Sequence, residues 1–122
     1  MFTSWLHETR RLQEEGFGVD YDKFDYDPEA LADYVLWNAL AAHTEISEVL
    51  QEIAWKPWVK TRGWYNREQF LDEIVDVLHF IANMAVAVGA TDTEITEKYQ
   101  MKMQINRDRM ASGRYEQRGR DD

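Results

Sequence analysis

The chain has 122 residues, no cysteine and a formal net charge of -9 at pH 7. Its length predicts one domain, the absence of cysteine excludes disulfide bonds and thiolate metal sites, and the acidic balance argues against a nucleic-acid polymer as partner. The amino terminus has no signal-peptide pattern, and the nearly apolar run 77–88 is too short to cross a bilayer, so we expect a cytoplasmic protein with no membrane partner.

Capping residues mark the first two predicted helices. Ser4 suits the N-cap of a helix that we expect to reach about residue 15, and the acidic segment 19–26 reads as a loop. An aspartate followed by proline at 27–28 predicts the start of the second helix. Because Pro57 disfavours helical backbone at the residue before it, we expect this helix to end near residue 55.

Two further helices follow a loop over residues 56–65. A capping motif at 66–69 opens the third predicted helix, and Gly89 ends it. A second capping motif at 91–94 opens the fourth, which is expected to fade near residues 112–113.

These elements predict an all-α fold, a bundle of four to five helices. We expect a single domain over residues 1–115 and a flexible tail over residues 116–122. After Asp76 the third helix is apolar on nearly every side, which is typical of a helix buried all round. A chain of this size has too few helices to bury it, so we expect the bundle to be completed by oligomerisation, as a homodimer or homotetramer.

Two short acidic motifs stand in otherwise apolar helical segments. Glu45 and Glu48 are three residues apart on the second helix, and Glu73 and Asp76 are three apart on the third. Residues three apart point the same way, so two facing helices bring four carboxylates together. Close carboxylates repel each other and lose hydration, so they need cations that prefer oxygen ligands, Mg²⁺ above all. One such motif alone is more often a solvated helix face, but a second pair favours the metal site.

The fourth helix carries a basic and polar stripe. Lys98, Lys102, Asn106 and Arg109 are spaced by four, four and three residues, which keeps them on one side of a helix. Beside a metal–carboxylate cluster, this stripe suits recognition of polyphosphate oxygens. The alternative is a solvated basic face.

Aromatic side chains and one histidine lie near the acidic motifs. Trp55 and Trp58 flank Lys56 in the loop after the second helix, and His79 and Phe80 lie one turn past the second acidic motif. Aromatic residues are more often part of a core, yet one of these suits stacking on a nucleotide base. His79 either contacts the metal or the substrate, or is a packed and hydrogen-bonded histidine.

Four motifs together resemble the all-α nucleoside triphosphate pyrophosphohydrolases, the superfamily of MazG proteins, dimeric dUTPases and dCTP pyrophosphatases. They are Glu45-x-x-Glu48, Trp55-Lys56-x-Trp58, Glu73-x-x-Asp76-x-x-His79-Phe80 and Tyr99-x-x-Lys102-x-x-x-Asn106-x-x-Arg109. The tryptophan loop and the Asp-x-x-His-Phe run look most like a short, phage-type dimeric dUTPase, which would act in the cytoplasm of the host. The segment 102–107 looks as much like the dCTP enzymes.

The resemblance implies a MazG-like bundle that hydrolyses nucleotides with Mg²⁺. The implied metal ligands are Glu45, Glu48, Glu73 and Asp76, for two or three Mg²⁺ ions that Mn²⁺ can replace. Glu48 and Glu45 are the implied catalytic residues, and Glu48 is expected to accept a proton from the attacking water. Cleavage of the α–β phosphoanhydride then yields a nucleoside monophosphate and pyrophosphate.

The resemblance also implies substrate-binding residues of three kinds: cations and a polar group for the phosphates, aromatic side chains for the base and the pocket entrance, and polar side chains near the base. They are Lys56, Lys102, Arg109 and Asn106; Phe80, Trp55 and Trp58; and Asn38 and His79. Among them, Asn38 is expected to read an edge of the base.

The expected partner is a small-molecule nucleotide, and we favour dUTP on the two motifs that look most like dimeric dUTPases. An asparagine amide such as that of Asn38 or Asn83 serves uracil or cytosine by flipping, so its fixed partner decides the base, and the sequence does not show that partner. Turnover of dCTP or another deoxynucleotide, including a purine, stays open. So do a non-catalytic metal- or nucleotide-binding bundle and an interaction module built on the apolar third helix.

Overall fold

A computed structural model describes residues 4–113 of the chain. The helices are α1 (Trp5–Phe17), α2 (Pro28–Gln51), α3 (Arg67–Ala87) and α4 (Asp92–Ala111), with a short 3₁₀ helix (Tyr21–Asp25) between α1 and α2. Within the described residues there is no strand, and one isolated bridge pairs Ile53 with Tyr65. The all-α prediction is confirmed.

The chain divides into two compact units, one that ends at Ala90 and one that begins at Thr91. The first unit contains α1, α2 and α3, and the second contains α4. The single domain over residues 1–115 stays a prediction. The predicted tail at 116–122 lies outside the described residues.

Three of the four predicted helix starts are confirmed by side-chain caps. The carboxylate of Asp27 accepts a hydrogen bond from the Ala30 N–H (3.1 Å) at the start of α2. The carbonyl oxygen of Asn66 caps α3 and the hydroxyl of Thr91 caps α4 in the same way. Each cap satisfies one backbone donor that the first turn leaves open. Ser4 occupies the N-cap of α1 but makes no side-chain cap, and α1 continues to Phe17, beyond the predicted end.

The loop predicted over residues 19–26 was wrong, because this segment contains the 3₁₀ helix. Tyr21 is only 5% exposed, and its ring meets the rings of Phe24 and Tyr34 edge-on at centroid distances of 5.7 and 5.8 Å. Burial of these rings against α2 favours a tight helical turn over an extended loop.

The predicted end of α2 near residue 55 was also wrong, because α2 ends at Gln51. Beyond it, the Ala54 N–H donates to the Trp64 carbonyl (2.9 Å), and the Gly63 N–H donates to the Ala54 carbonyl (2.6 Å). The backbone therefore bonds across the loop instead of continuing the helix. Pro57 lies inside this loop and is not what stops α2.

Small residues on α3 form the centre of the first unit. Ala82 has no exposed surface, and Val86 and Ala87 are buried beside it with Leu6 of α1 and Tyr21. Small side chains let neighbouring helices approach closely, and α3 packs on both α1 and α2. This packing sets which side chains of α2 and α3 face each other.

The opposite side of α3 is apolar and partly open. Positions 74, 77, 81, 84 and 88 recur at three- and four-residue spacing and are all apolar. Ile81 is 44% exposed and Val88 is 68% exposed. Oligomerisation over this surface stays a prediction.

Within residues 4–113, no single helix is long and apolar enough to cross a membrane.

Assembly through this side of α3 is open to a direct test. We expect sedimentation of the chain at micromolar concentration to show a dimer or tetramer. Ile81→Lys should shift it to monomer, because an unpaired ammonium is costly to bury at an apolar contact. Tyr26→Lys, at a residue 74% exposed outside α3, is the matched control and should leave the assembly intact. A parent chain that sediments as a monomer would contradict the prediction.

Candidate active site

Packing of α2 against α3 brings acidic side chains of both helices together. Glu45 of α2 and Glu73 and Asp76 of α3 each place one carboxylate oxygen within 4.8 Å of the others. Glu45 and Glu73 are only half-buried, so the cluster opens to solvent. The three-residue spacing of the α3 pair puts both of its carboxylates on the side that faces α2.

The electrostatics of the cluster are unfavourable for three free anions. Loss of hydration raises the pKa of Glu73, and repulsion by Asp76, hydrogen bonding to Glu45 and the charges of Glu45 and Glu48 raise it further. A group whose charged form is disfavoured by its neighbours gains from a bound cation. An all-carboxylate donor set fits hard cations such as Mg²⁺.

Glu48 stands apart from the three clustered carboxylates. It lies one turn after Glu45 on α2, is exposed, and is not among the residues that share the 4.8 Å cluster. Its charge still contributes to the raised pKa of Glu73. The four predicted metal ligands therefore divide into a cluster of three and one carboxylate at its edge, and their roles stay a prediction.

A groove between α1 and α3 begins beside the cluster, at Val75 of α3. It encloses a cavity of about 770 Å³, within the range of small-molecule sites. His79 and Phe80 line it and follow Asp76 by three and four residues, or about one helical turn. Most of the wall is apolar. The lining residues are Ser4, Trp5, Glu8, Thr9, Leu12, Gln13, Phe17, Val75, Leu78, His79, Phe80 and Asn83.

Asn38 lies beneath this groove and is 8% exposed. Its Nδ2 donates to the main-chain oxygen of Tyr34 (2.8 Å), and its Oδ1 accepts from Nδ2 of Asn83 (2.9 Å). Both ends of the Asn38 amide are therefore engaged with protein groups. Contact of Asn38 with a base stays a prediction.

The loop after α2 holds the predicted tryptophan and lysine residues. Arg62 Nε donates to the Trp55 carbonyl (3.1 Å), and the Lys56 ammonium lies 5.9 Å from the ring centroid of Trp58. Trp55 and Lys56 line a second cavity of about 530 Å³ between the end of α2 and this loop, whereas Trp58 is 76% exposed. An exposed tryptophan beside a lysine is available for contact with a ligand.

The basic stripe lies on α4, in the second unit. Lys102, Asn106 and Arg109 fall within the unbroken helix Asp92–Ala111, so their spacing keeps them on one side of it. Lys102 and Arg109 are exposed, and Asn106 is partly buried. Contact of these residues with phosphate stays a prediction.

No site residue was predicted on α1, yet α1 forms one wall of the groove. Trp5, Thr9 and Leu12 recur along it at four- and three-residue spacing, which is the pattern of a single helix face. That spacing was a signal for a packed face of α1. Nothing in the sequence indicated that the face would border a cavity instead of a closed core.

A family model described as dUTPase matches residues 20–112. The match contains the three clustered carboxylates, the tryptophan loop and the α4 stripe, and it begins after α1. Neither a curated protein nor a solved structure matches the chain.

The carboxylate cluster makes a prediction about thermal stability. Because Mg²⁺ relieves repulsion among the clustered carboxylates, we expect it to raise the melting temperature by at least about 3 °C at neutral pH. Glu73→Gln removes one of these charges, so it should raise the metal-free melting temperature and abolish most of the Mg²⁺-dependent rise. Glu68→Gln, at an exposed residue of the same helix, should behave like the parent. An equal response of both variants to Mg²⁺ would exclude the cluster as the cation site.

Proposed function

The chain belongs to the dUTPase family, and from this premise we propose that it hydrolyses a deoxynucleoside triphosphate, dUTP in preference to others, to the monophosphate and pyrophosphate. The observation that supports this most is the carboxylate cluster across α2 and α3, beside a groove large enough for a nucleoside. A triphosphate is itself polyanionic, so it needs cations between its oxygens and the protein carboxylates.

The three clustered residues would bind the metal, and the fourth acid, Glu48, would accept a proton from the attacking water. Glu45, Glu73 and Asp76 have the oxygen donors for two or three Mg²⁺ ions, which Mn²⁺ can replace. When bound, these ions supply neutralisation of phosphate charge and a lowered pKa for bound water. Glu48, beside Glu45 at the edge of the cluster, accepts a proton from the attacking water in this proposal.

The remaining residues would bind the two ends of the substrate. Phe80 lines the groove and offers a ring face to the base or sugar. Lys56 neutralises phosphate charge, while Trp55 and Trp58 close the pocket from the neighbouring loop. The stripe of α4, with Lys102, Asn106 and Arg109, offers further charge and hydrogen bonds to phosphate oxygens. We place the reaction in the cytoplasm, on free nucleotide.

Two alternatives keep the same cluster but differ in substrate or turnover. One is hydrolysis of dCTP or another deoxynucleotide, a purine included, since the segment 102–107 also resembles the dCTP enzymes. The other is a metal- and nucleotide-binding bundle without turnover. Nothing in the cluster itself separates a hydrolase from a sensor, because both need the same cation site.

Turnover across a nucleotide panel tests the proposal and its substrate together. We expect pyrophosphate release from dUTP with a kcat/KM at least about tenfold above that for dCTP. Excess chelator should abolish it, and Mg²⁺ or Mn²⁺ should restore it, because the carboxylates hold no triphosphate without cations. Full turnover in chelator would remove the metal from the mechanism. A preference for dCTP or a purine would replace the substrate and keep the reaction.

Replacement of Glu48 tests its assignment as the base. Glu48→Gln keeps the size of the side chain but removes its basicity, and we expect kcat to fall by about 10²-fold or more. The fold should survive, because the variant also relieves repulsion on Glu73. Asp33→Asn, at an exposed acid elsewhere on α2, is the matched control and should keep parental turnover. Near-normal turnover by Glu48→Gln would exclude Glu48 as the base.

A further inference from the structure

The buried side-chain amides of Asn38 and Asn83 contact each other beside the α1–α3 groove. Their hydrogen-bond partners fix the orientation of each amide. The main-chain oxygen of Tyr34 can only accept, so the Asn38 atom that faces it at 2.8 Å must be the nitrogen. The Oδ1 of Asn38 then faces Asn83 and can only accept from it, so Asn83 must turn its Nδ2 towards Asn38, as it does at 2.9 Å. The carbonyl oxygen of Asn83 is thereby directed away from Asn38.

Tyr34, the residue that starts this chain of contacts, is itself held on two sides. Its hydroxyl donates to Oε1 of Gln13 on α1 (3.0 Å) and lies 2.9 Å from the hydroxyl of Tyr21. Because burial raises the pKa of Tyr21 and of Tyr34, both phenols keep their protons. The main-chain oxygen that fixes the Asn38 amide therefore belongs to a residue whose side chain is anchored to α1 and to the 3₁₀ helix.

Asn83 is also part of the groove wall. It is 6% exposed, and it lines the cavity together with Phe80, three residues before it on α3. Asn83 therefore presents a polar group of fixed orientation to a mostly apolar cavity, an arrangement that selects one pattern of donors and acceptors over another. An amide that is free to turn would accept either pattern.

We propose that Asn83 reads position 3 of a pyrimidine with its carbonyl oxygen, and that Asn38 is the positioning residue that keeps its amide from turning over. The assignment rests on the proposed nucleotide hydrolysis. Uracil carries an N3–H, which donates to a fixed oxygen. Cytosine carries a lone pair at N3, which the same oxygen repels, and an amide that has turned over would instead offer Nδ2 to it.

The ratio of kcat/KM for dUTP to that for dCTP tests this assignment. Both substrates are measured on one preparation, so any loss of folded protein cancels in the ratio. In the parent we expect a ratio of at least about ten, and in Asn38→Ala a ratio of about three or less, because the Asn83 amide becomes free to turn. Asn83→Ala removes the amide and should lower the ratio without any change at Asn38.

Two controls distinguish a flipped side-chain amide of Asn83 from a general loss of order in the pocket. Thymine has the same N3–H as uracil, so the ratio of dUTP to dTTP turnover should not change in Asn38→Ala. Tyr21→Phe removes the bond to the Tyr34 hydroxyl but keeps Tyr34 and its main-chain oxygen, which holds Asn38, so it should keep the parental dUTP to dCTP ratio.

The outcomes distinguish this assignment from the function on which it rests. A dUTP to dCTP ratio that stays parental in both Asn38→Ala and Asn83→Ala overturns the assignment and leaves the hydrolase in place. A parallel fall of the dUTP to dTTP ratio, or an equal fall of the dUTP to dCTP ratio in Tyr21→Phe, overturns it in favour of a general loosening of the pocket. A parent that prefers dCTP overturns the N3–H contact. A parent that hydrolyses no nucleotide removes the function, and the assignment with it.

Discussion

The rest of the first unit depends on one constraint, which is that α2 and α3 hold mutually repelling carboxylates close together. Glu45, Glu73 and Asp76 come within 4.8 Å of one another because α2 and α3 pack against each other. Helix packing thus stabilises an arrangement that electrostatics alone would disperse. Folding of this kind is compatible with a site in which a bound cation supplies the compensating positive charge.

The same packing places the groove beside the cluster. α3 contributes acids at one turn and His79 and Phe80 at the next, while α1 covers the other side of the cavity. The family match begins at residue 20, so this wall lies before the matched residues. The metal-binding part of the proposed site therefore rests on residues within the family match, whereas the shape of the groove depends on a helix that precedes it.

Much of this architecture is encoded locally and could be predicted from the sequence. The starts of α2, α3 and α4 follow from Asp27, Asn66 and Thr91, because one side chain satisfies a backbone donor three residues later. The cluster could be anticipated because three-residue spacing fixes direction on a helix. Even so, spacing did not show that Glu48 would stand outside the group of three.

Features that depend on distant contacts could not be predicted in this way. The 3₁₀ helix forms because Tyr21 packs on Tyr34, and α2 ends at Gln51 because Ala54 pairs with Trp64; both contacts join residues ten or more positions apart. The Asn38–Asn83 pair spans 45 positions. Two asparagines that far apart carry no pattern until α2 and α3 are packed together.

Identification of the products formed from dUTP is the most direct measurement of the central claim, that the carboxylate cluster and the groove together form a nucleotide pyrophosphohydrolase site. ³¹P NMR of dUTP with the protein and Mg²⁺ follows each phosphorus separately. We expect dUMP and pyrophosphate, with no dUDP or orthophosphate as a primary product. Formation of dUDP and orthophosphate, or no reaction with any nucleotide, would contradict the claim.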